Sequence, residues 1–208
     1  MTKVLFLHGF GSNGSSRKAG VLRGHFDVVS PNLPFPGKNP LSWVTWSLNA
    51  ARDREAARAN AQSLVESFQP DVICGSSMGG ALAAVLESDA ARVLVAPASG
   101  VPLMYPMPRR LPARTIILHS PHDGIVSQKN SRRFLSVHAP RDAAEESVVD
   151  AIRERLVALG YDQAVPRLVS IGKNHNCNEP HESDTWNTDP HPHQALVRAV
   201  LIVAAIPL

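Results

Sequence analysis

The clearest chemical signal in the sequence is a serine inside a glycine-flanked run, GSSMG at residues 75–79. Three apolar residues lead into this run and a helical pattern follows it, which predicts a strand, a sharp turn and a helix. A serine at the apex of such a turn has strained backbone geometry that holds its hydroxyl clear of the sheet. The flanking glycines remove side chains that would collide where strand and helix meet. The spacing predicts Ser77 as a nucleophile, with Ser76 as the alternative.

A serine hydroxyl needs a base to take its proton, and the base needs a carboxylate to orient it. In a parallel sheet we expect such groups at the carboxyl ends of strands. Asp123 follows the predicted fifth strand, and His175 follows the last one within four residues. We therefore predict a catalytic triad of Ser77, Asp123 and His175. Polar loop separates the other candidates for the base from that strand, namely His181, His191 and His193.

The oxyanion of a tetrahedral intermediate needs N–H donors. The backbone N–H of Met78, the residue after the predicted nucleophile, is the first candidate. The loop after the first strand, LHGF at residues 7–10, is placed to supply the second through the N–H of Phe10. We expect His8 to be structural, because this loop acts through its backbone.

A proline-rich segment at residues 97–112 follows the predicted fourth strand and is expected to be irregular. Met104, Tyr105 and Met107 within it are candidates for a substrate pocket, and a surface loop with apolar anchors is the alternative interpretation. Trp43 and Trp46 are predicted to face the core from a long helix, and a wall of the substrate site is the alternative interpretation.

Two other patterns could hold a cofactor or a metal. Residues 9–14 fit GxGxxG after a strand, but a dinucleotide site also needs an acidic residue where the second strand ends, and Ser30 and Pro31 stand there. Residues 174–193 contain histidine, cysteine and carboxylates, but their spacing matches no recognised metal pattern. We therefore predict neither a nicotinamide cofactor nor a metal.

The elements that must position these residues can be read from apolar runs and helical patterns. Six short apolar runs predict strands, at residues 4–7, 26–29, 71–74, 92–96, 115–118 and 167–171. Helical patterns stand between and after them, at residues 17–24, 43–68, 78–87, 127–137, 142–159 and 194–205. This alternation predicts a mostly parallel six-stranded α/β sheet with helices on both faces.

The composition fits a single domain over residues 1–208, with 44% hydrophobic and 19% charged residues. The net charge of +3 is small, and arginines 52, 54 and 58 alternate with acidic residues, which indicates a solvated helix face and not a nucleic-acid surface. Two cysteines make no disulfide framework, and Cys74 is expected to be a buried thiol. Without a leader pattern or a long apolar span, we expect a cytoplasmic protein.

Together these motifs resemble the α/β-hydrolase superfamily over essentially the whole chain. The resemblance rests on LHGF at residues 7–10, GSSMG at 75–79, HSPHDGIV at 119–126 and GKNH at 172–175, in the chain order serine, aspartate, histidine. Within the superfamily, LFLHGF at residues 5–10, SSMGG at 76–80 and the compact size resemble the small lidless esterases of the YqiA-like group. This resemblance implies hydrolysis of a small-molecule carboxylic ester or thioester through an acyl-enzyme, without a cofactor.

The chain departs from that group in three features. It begins at what would be the superfamily's third strand, carries an extra helical segment at residues 141–163, and has a histidine-rich tail at 175–193. Two other functions stay open. One is a lactonase, amidase or perhydrolase that uses the same triad. The other is a binding protein of hydrolase fold without activity, against which the intact Ser77, Asp123 and His175 argue.

Overall fold

The computed structural model describes residues 1–37, 39–100, 104–106, 108, 110–161, 165, 167–171 and 192–206. Within these ranges, six strands form one sheet in the order β2-β1-β3-β4-β5-β6, and every neighbouring pair is parallel. The strands are β1 Lys3–Leu7, β2 Asp27–Val29, β3 Val72–Ser76, β4 Ala91–Val95, β5 Thr115–His119 and β6 Leu168–Ser170. The predicted α/β architecture is confirmed, and the sheet is wholly parallel.

Six helices connect and cover these strands in the described part of the chain. They are α1 Arg17–Arg23, α2 Pro40–Phe68, α3 Met78–Val85, α4 Gln128–Val137, α5 Ala143–Ala158 and α6 Pro192–Ala204. Helix α2 begins before the predicted residue 43, because the Asn39 side chain accepts the Leu41 N–H at 2.9 Å and Pro40 occupies the first turn. Helix α5 occupies most of the extra segment at 141–163.

The helices cover both faces of the sheet, because alternate strand residues point to opposite sides. On β1, Val4 and Phe6 belong to the core cluster that includes residues of α1, α5 and α6. Leu5 and Leu7 belong to the second cluster, which includes residues of α2, α3 and α4. None of the helices in the described ranges combines the length and the apolar character needed to cross a membrane.

Three side chains test the predicted burial directly. Cys74 is fully buried, and this burial raises the pKa of its thiol. Trp46 is only 4% exposed, so the prediction that it faces the core is confirmed. The same prediction is wrong for Trp43, which is 41% exposed. Trp43 packs instead on the ring of Phe10, with the ring centroids 4.3 Å apart.

Helix α3 is held at its C-terminal end by a buried arginine. Arg92 lies on β4 and is 1% exposed. Its guanidinium donates hydrogen bonds to the carbonyl oxygens of Ala83 at 2.9 Å and of Leu86 and Ser88 at 3.1 and 3.0 Å, and also to that of Ala90. Carbonyls at a helix end lack intrahelical partners, and this one side chain satisfies those of Ala83 in the last turn and of the C-cap residue Leu86. Burial lowers the pKa of Arg92 to about 10, which leaves it charged at neutral pH.

We predict that Arg92→Met lowers the free energy of unfolding by roughly 3 kcal/mol, because buried carbonyls lose their donor. Urea unfolding followed by circular dichroism measures this loss. The control is Arg52→Met, because the Arg52 side chain is 76% exposed; its effect should stay within about 0.5 kcal/mol. Equal stabilities for the two variants would contradict the capping role.

Candidate active site

Ser77 occupies a sharp turn between β3 and α3. Its backbone has φ 54° and ψ −118°, a left-handed region that a residue with a Cβ adopts only under constraint. Three hydrogen bonds hold it there. The Ser77 N–H donates to the Val95 carbonyl at 2.8 Å, and the Ser77 carbonyl accepts from the N–H groups of Ala81 and Ala98, both at 3.0 Å. The turn has the geometry that the GSSMG spacing predicted.

Exposure distinguishes the two serines of the turn. Ser77 is half-buried, whereas Ser76 and Met78 on either side of it are buried. Ser76 is the last residue of β3 and its backbone pairs with β4. Of this pair, Ser77 is therefore the serine with the larger exposed fraction.

The turn fits tightly against the end of β1. A Cβ added to Gly79 would stand 2.1 Å from the Leu7 carbonyl oxygen, which is closer than any real contact. A Cβ added to Gly9 would stand 2.8 Å from the Ser76 carbonyl oxygen and 2.9 Å from the Ser77 Cβ. The loop after β1 therefore lies directly beside Ser77. The glycine run at residues 9–14 serves this contact and leads into loop, since α1 begins only at Arg17.

This contact brings the two predicted oxyanion donors to the surroundings of Ser77. Met78 follows Ser77 as the first residue of α3, and Phe10 follows Gly9 in the loop after β1. Among the described residues, no acceptor bonds the backbone N–H of either Phe10 or Met78. Two N–H donors are thus available beside the serine, as stabilisation of a developing oxyanion requires.

His8 anchors the loop that carries Phe10. Its Nε2 accepts the Leu33 N–H at 2.9 Å, so its Nδ1 carries the proton and donates to the Gly9 carbonyl at 2.9 Å. Burial lowers the pKa of His8, which keeps the ring in the neutral form that this pair of bonds requires. The Gly11 N–H also donates to the Pro36 carbonyl at 3.0 Å. The proline-rich stretch at 31–36 therefore braces the loop.

An aromatic cluster surrounds the Phe10 side chain. The rings of Trp43, Trp46 and Phe35 lie 4.3, 5.1 and 6.1 Å from the Phe10 ring, centroid to centroid. Phe10 and Phe35 are half-buried and Trp43 is exposed. The cluster therefore presents an apolar surface beside the loop that follows β1.

Asp123 lies in the loop after β5 and has a fully buried carboxylate. Its Oδ1 accepts the N–H groups of Ile125 and Val126, both at 2.8 Å. Its Oδ2 lies 3.0 Å from Nε2 of His119, the last residue of β5. No role was predicted for His119 from the sequence. The only signal there is a histidine at a strand end four positions before the predicted acid.

The structure describes some of the predicted site residues and not others. Asp123 and Ser77 follow strands separated by β4 alone and lie at the same edge of the sheet. His175 and its alternatives His181 and His191 lie outside the described residues, as do Met107 and the side chain of His193. Their roles stay predictions.

Tyr105 is buried, and its hydroxyl donates to the Arg54 carbonyl on α2 at 2.8 Å. Met104 is half-buried, and its carbonyl accepts a hydrogen bond from the Arg54 guanidinium. Both contacts attach this part of the proline-rich segment to α2. The assignment of Met104 and Tyr105 to a substrate pocket stays a prediction.

No group of three or more metal-binding side chains occurs within the described ranges. The stretch at 172–191, which contains most of the histidine-rich tail, lies outside them.

We predict that Gly9→Ala destabilises the fold by roughly 1–3 kcal/mol, because the new methyl group forces the β1 loop away from the serine turn. Thermal and urea unfolding measure the change. Gly20→Ala is the matched control, because a Cβ at Gly20 on α1 meets nothing within 4 Å. That variant should gain up to about 1 kcal/mol from helix propensity. A Gly9→Ala protein as stable as the parent would show that the contact is not tight.

Comparison with known proteins agrees with the α/β fold. A family model described as "Alpha/beta hydrolase family" matches residues 4–205. A structure described as a hydrolase of the alpha/beta superfamily, from Xanthomonas campestris pv. campestris, matches with a TM-score of 0.60 and 15% identity, over 99% of this chain and 100% of that one. An alpha-beta serine hydrolase homologue from Coxiella burnetii matches with a TM-score of 0.53 and 14% identity, over 99% of this chain and 85% of that one.

Identities this low show a common fold alone. A search of curated proteins finds no match. The family match covers nearly the whole chain and confirms the resemblance to the α/β-hydrolase superfamily, while the resemblance to the YqiA-like group stays a prediction. The chain therefore belongs to the alpha/beta hydrolase family and is a hydrolase of that fold.

Proposed function

We propose that this protein is a serine hydrolase that cleaves small carboxylic esters or thioesters through an acyl-enzyme. The observation that carries the proposal is the constrained, accessible Ser77 at the carboxyl edge of the sheet. A backbone strained at one polar residue is typical of functional sites, where the surrounding structure maintains the strain. The N–H groups of Phe10 and Met78, to which no described acceptor bonds, suit the oxyanion of acyl transfer.

The proposed reaction has two halves. His175, oriented by Asp123, takes the Ser77 proton while Oγ attacks the ester carbonyl carbon. The N–H groups of Phe10 and Met78 bind the oxyanion. The C–O or C–S bond to the leaving group then breaks, and His175 donates the proton to that group. A water molecule, deprotonated by His175, attacks the acyl-enzyme and forms a second tetrahedral intermediate. As this intermediate collapses, His175 returns the proton to Ser77 Oγ and the acid is released.

Asp123 suits the part of the acid in this scheme. Its carboxylate is buried and accepts two backbone N–H bonds and a histidine contact. Hydrogen bonds to the ionised form favour that form. These donors stabilise the ionised carboxylate, which is the form that orients the base in a triad.

The aromatic cluster supports an apolar ester as substrate. The exposed face of Trp43 and the half-buried Phe10 lie next to the loop that carries one predicted oxyanion donor. An acyl chain or alcohol group that leaves the serine on this side would contact apolar surface and so gain hydrophobic binding energy. The pocket predicted from Met104, Tyr105 and Met107 is a second possible wall for the same substrate.

We predict that Ser77→Ala lowers kcat for p-nitrophenyl esters by roughly 10⁴ or more and leaves the unfolding transition in place. Ser76→Ala is the matched control and should retain kcat within about threefold, since its side chain is buried. Labelling with a fluorophosphonate, followed by peptide mapping, should place one label on Ser77 in the parent. Near-normal turnover by Ser77→Ala would contradict the assignment of Ser77 as the nucleophile.

The same experiment tests the alternatives. Labelling of Ser77 with turnover of lactones, amides or peracids, and none of esters, would indicate a different reaction of the same triad. Absence of both labelling and turnover would favour a non-catalytic binding protein. A cytoplasmic location and a single domain over residues 1–208 stay predictions.

We predict that Trp43→Ala raises KM for hexanoyl and longer p-nitrophenyl esters by roughly tenfold, through loss of about 1.4 kcal/mol of apolar contact. The acetyl ester, which reaches less of this surface, should change by less than about twofold. Leu48→Ala is the control, because Leu48 is an exposed apolar residue of the same helix without a ring contact to Phe10. A KM profile that Trp43→Ala leaves unchanged would exclude this surface as a binding wall.

A further inference from the structure

His119 lies between the predicted acid and helix α4, with no exposed side-chain surface. Its Nε2 is 3.0 Å from Oδ2 of Asp123 and 2.8 Å from the Val126 carbonyl oxygen. Its Nδ1 is 2.6 Å from the hydroxyl oxygen of Ser131 on α4, which is also buried. A substrate cannot reach this ring, so His119 touches the reaction only through its neighbours.

The neighbours of the ring define its protonation. A backbone carbonyl and a carboxylate oxygen accept hydrogen bonds and donate none. Because Nε2 faces one of each, it must carry a proton, which it shares between Asp123 and Val126. In the neutral ring Nδ1 then accepts the proton of the Ser131 hydroxyl. The acceptors at Nε2 thereby fix the tautomer, and the Ser131 hydroxyl holds the orientation of the ring that faces the acid.

These contacts restrict the carboxylate of Asp123. Two backbone N–H groups hold Oδ1, so the carboxylate could still tilt about that oxygen. The N–H of His119 binds the other oxygen and blocks that motion. The carboxylate plane is consequently set by residues of β5, of its own loop and of α4, and it determines the direction from which a base can be oriented.

Helix α4 also connects the two strand ends from which the predicted acid and base depart. Its first residue, Gln128, donates through its side-chain amide to the His119 carbonyl at 3.1 Å and to the Ser170 hydroxyl at 2.9 Å. Ser170 is the last residue of β6. The first turn of α4 thus holds the carboxyl ends of β5 and β6 at a set distance, and Ser131 on the next turn holds the ring.

We propose that His119, held by Ser131, is a positioning residue that fixes the Asp123 carboxylate for orientation of the catalytic base. This inference rests on the proposed serine hydrolase function and deepens it. A buried histidine at a strand end is costly unless both ring nitrogens are paired, and here the pairing is with the acid and its support. An apolar residue of the same volume would fill the space but would remove the N–H that binds Oδ2.

The test compares His119→Leu with His119→Gln by steady-state kinetics on a p-nitrophenyl ester. His119→Leu removes the N–H, and we expect kcat to fall roughly 10²-fold with KM within about threefold, because misplaced catalytic groups slow the chemical step. His119→Gln keeps a donor near the Nε2 position and should recover at least about a third of the parent kcat. Loss of the same size in both variants would overturn the proposal.

A double-mutant cycle separates positioning from general damage. If His119 acts through Asp123, His119→Leu should change kcat by less than about twofold when Asp123 is already asparagine. A further large loss in the Asp123→Asn background would show an independent effect and overturn the proposal. Retention of full activity by Asp123→Asn itself would instead refute the proposed triad, so the two failures are distinguishable.

His138→Leu is the matched control. His138 caps the other end of α4, is also buried, and its Nε2 has no hydrogen-bond partner among the described residues. The kcat of the His138→Leu variant should stay within about twofold of the parent value.

If His119→Leu fails to fold, Ser131→Ala tests the proposal in its place. This variant keeps the His119 ring but removes the hydroxyl that supports it. We expect kcat to fall roughly fivefold in the parent and not to fall further in the Asp123→Asn background. An unchanged kcat in Ser131→Ala would overturn the proposal.

Discussion

The rest of the structure depends on how closely α3 approaches the ends of β1 and β3. A Cβ on Gly75 would lie 2.2 Å from the Gly79 carbonyl oxygen, and a Cβ on Gly79 would lie 2.1 Å from that of Leu7. Any larger residue would push the helix away from the sheet edge. Because these two positions carry no side chain, α3 starts immediately at the end of β3 and Ser77 stands at the apex of the turn. The first residue of α3 and the loop after β1 then both lie next to Ser77.

This arrangement stores strain and needs support at both ends of α3. A non-glycine residue in the conformation of Ser77 costs on the order of 1–3 kcal/mol. The helix offsets that cost by burying its side chains from Met78 to Ala84, all of which are small or apolar. At its other end, the Arg92 guanidinium binds the carbonyls that a buried helix terminus would otherwise leave without partners. Contacts at both ends of α3 therefore fix the position of the helix, and with it the turn at Ser77.

The two described residues of the candidate site, Ser77 and Asp123, are held in different ways. Ser77 is positioned by backbone packing, through glycines and the hydrogen bonds of its own peptide groups. Asp123 is positioned by side-chain chemistry, through a network that runs from its loop to His119 and on to α4. Backbone packing tolerates almost no substitution. The side-chain network instead depends on a hydrogen-bond donor at the right position, which a different residue could supply.

Much of this site could be predicted from the sequence because its signals are local. The apolar run before GSSMG and the glycine spacing within it describe one strand, one turn and one helix, and the structure has all three. The six strands were likewise visible as short apolar runs. Helix α2 was harder. Its many alanines give it no clear apolar face, so the sequence pattern did not show that Trp43 packs on Phe10 and stays exposed.

The sequence by itself determined the parallel sheet, the serine turn and the place of Asp123 after its strand, since each depends on residues adjacent in the chain. Tertiary structure alone decided that Arg92 caps α3 and that His119 joins Asp123 to Ser131. In both cases a polar side chain inside an apolar strand finds its partners on a helix that only the folded chain brings near. The physical reason is that a buried donor must be satisfied, and residue type reveals the need for a partner but not its identity.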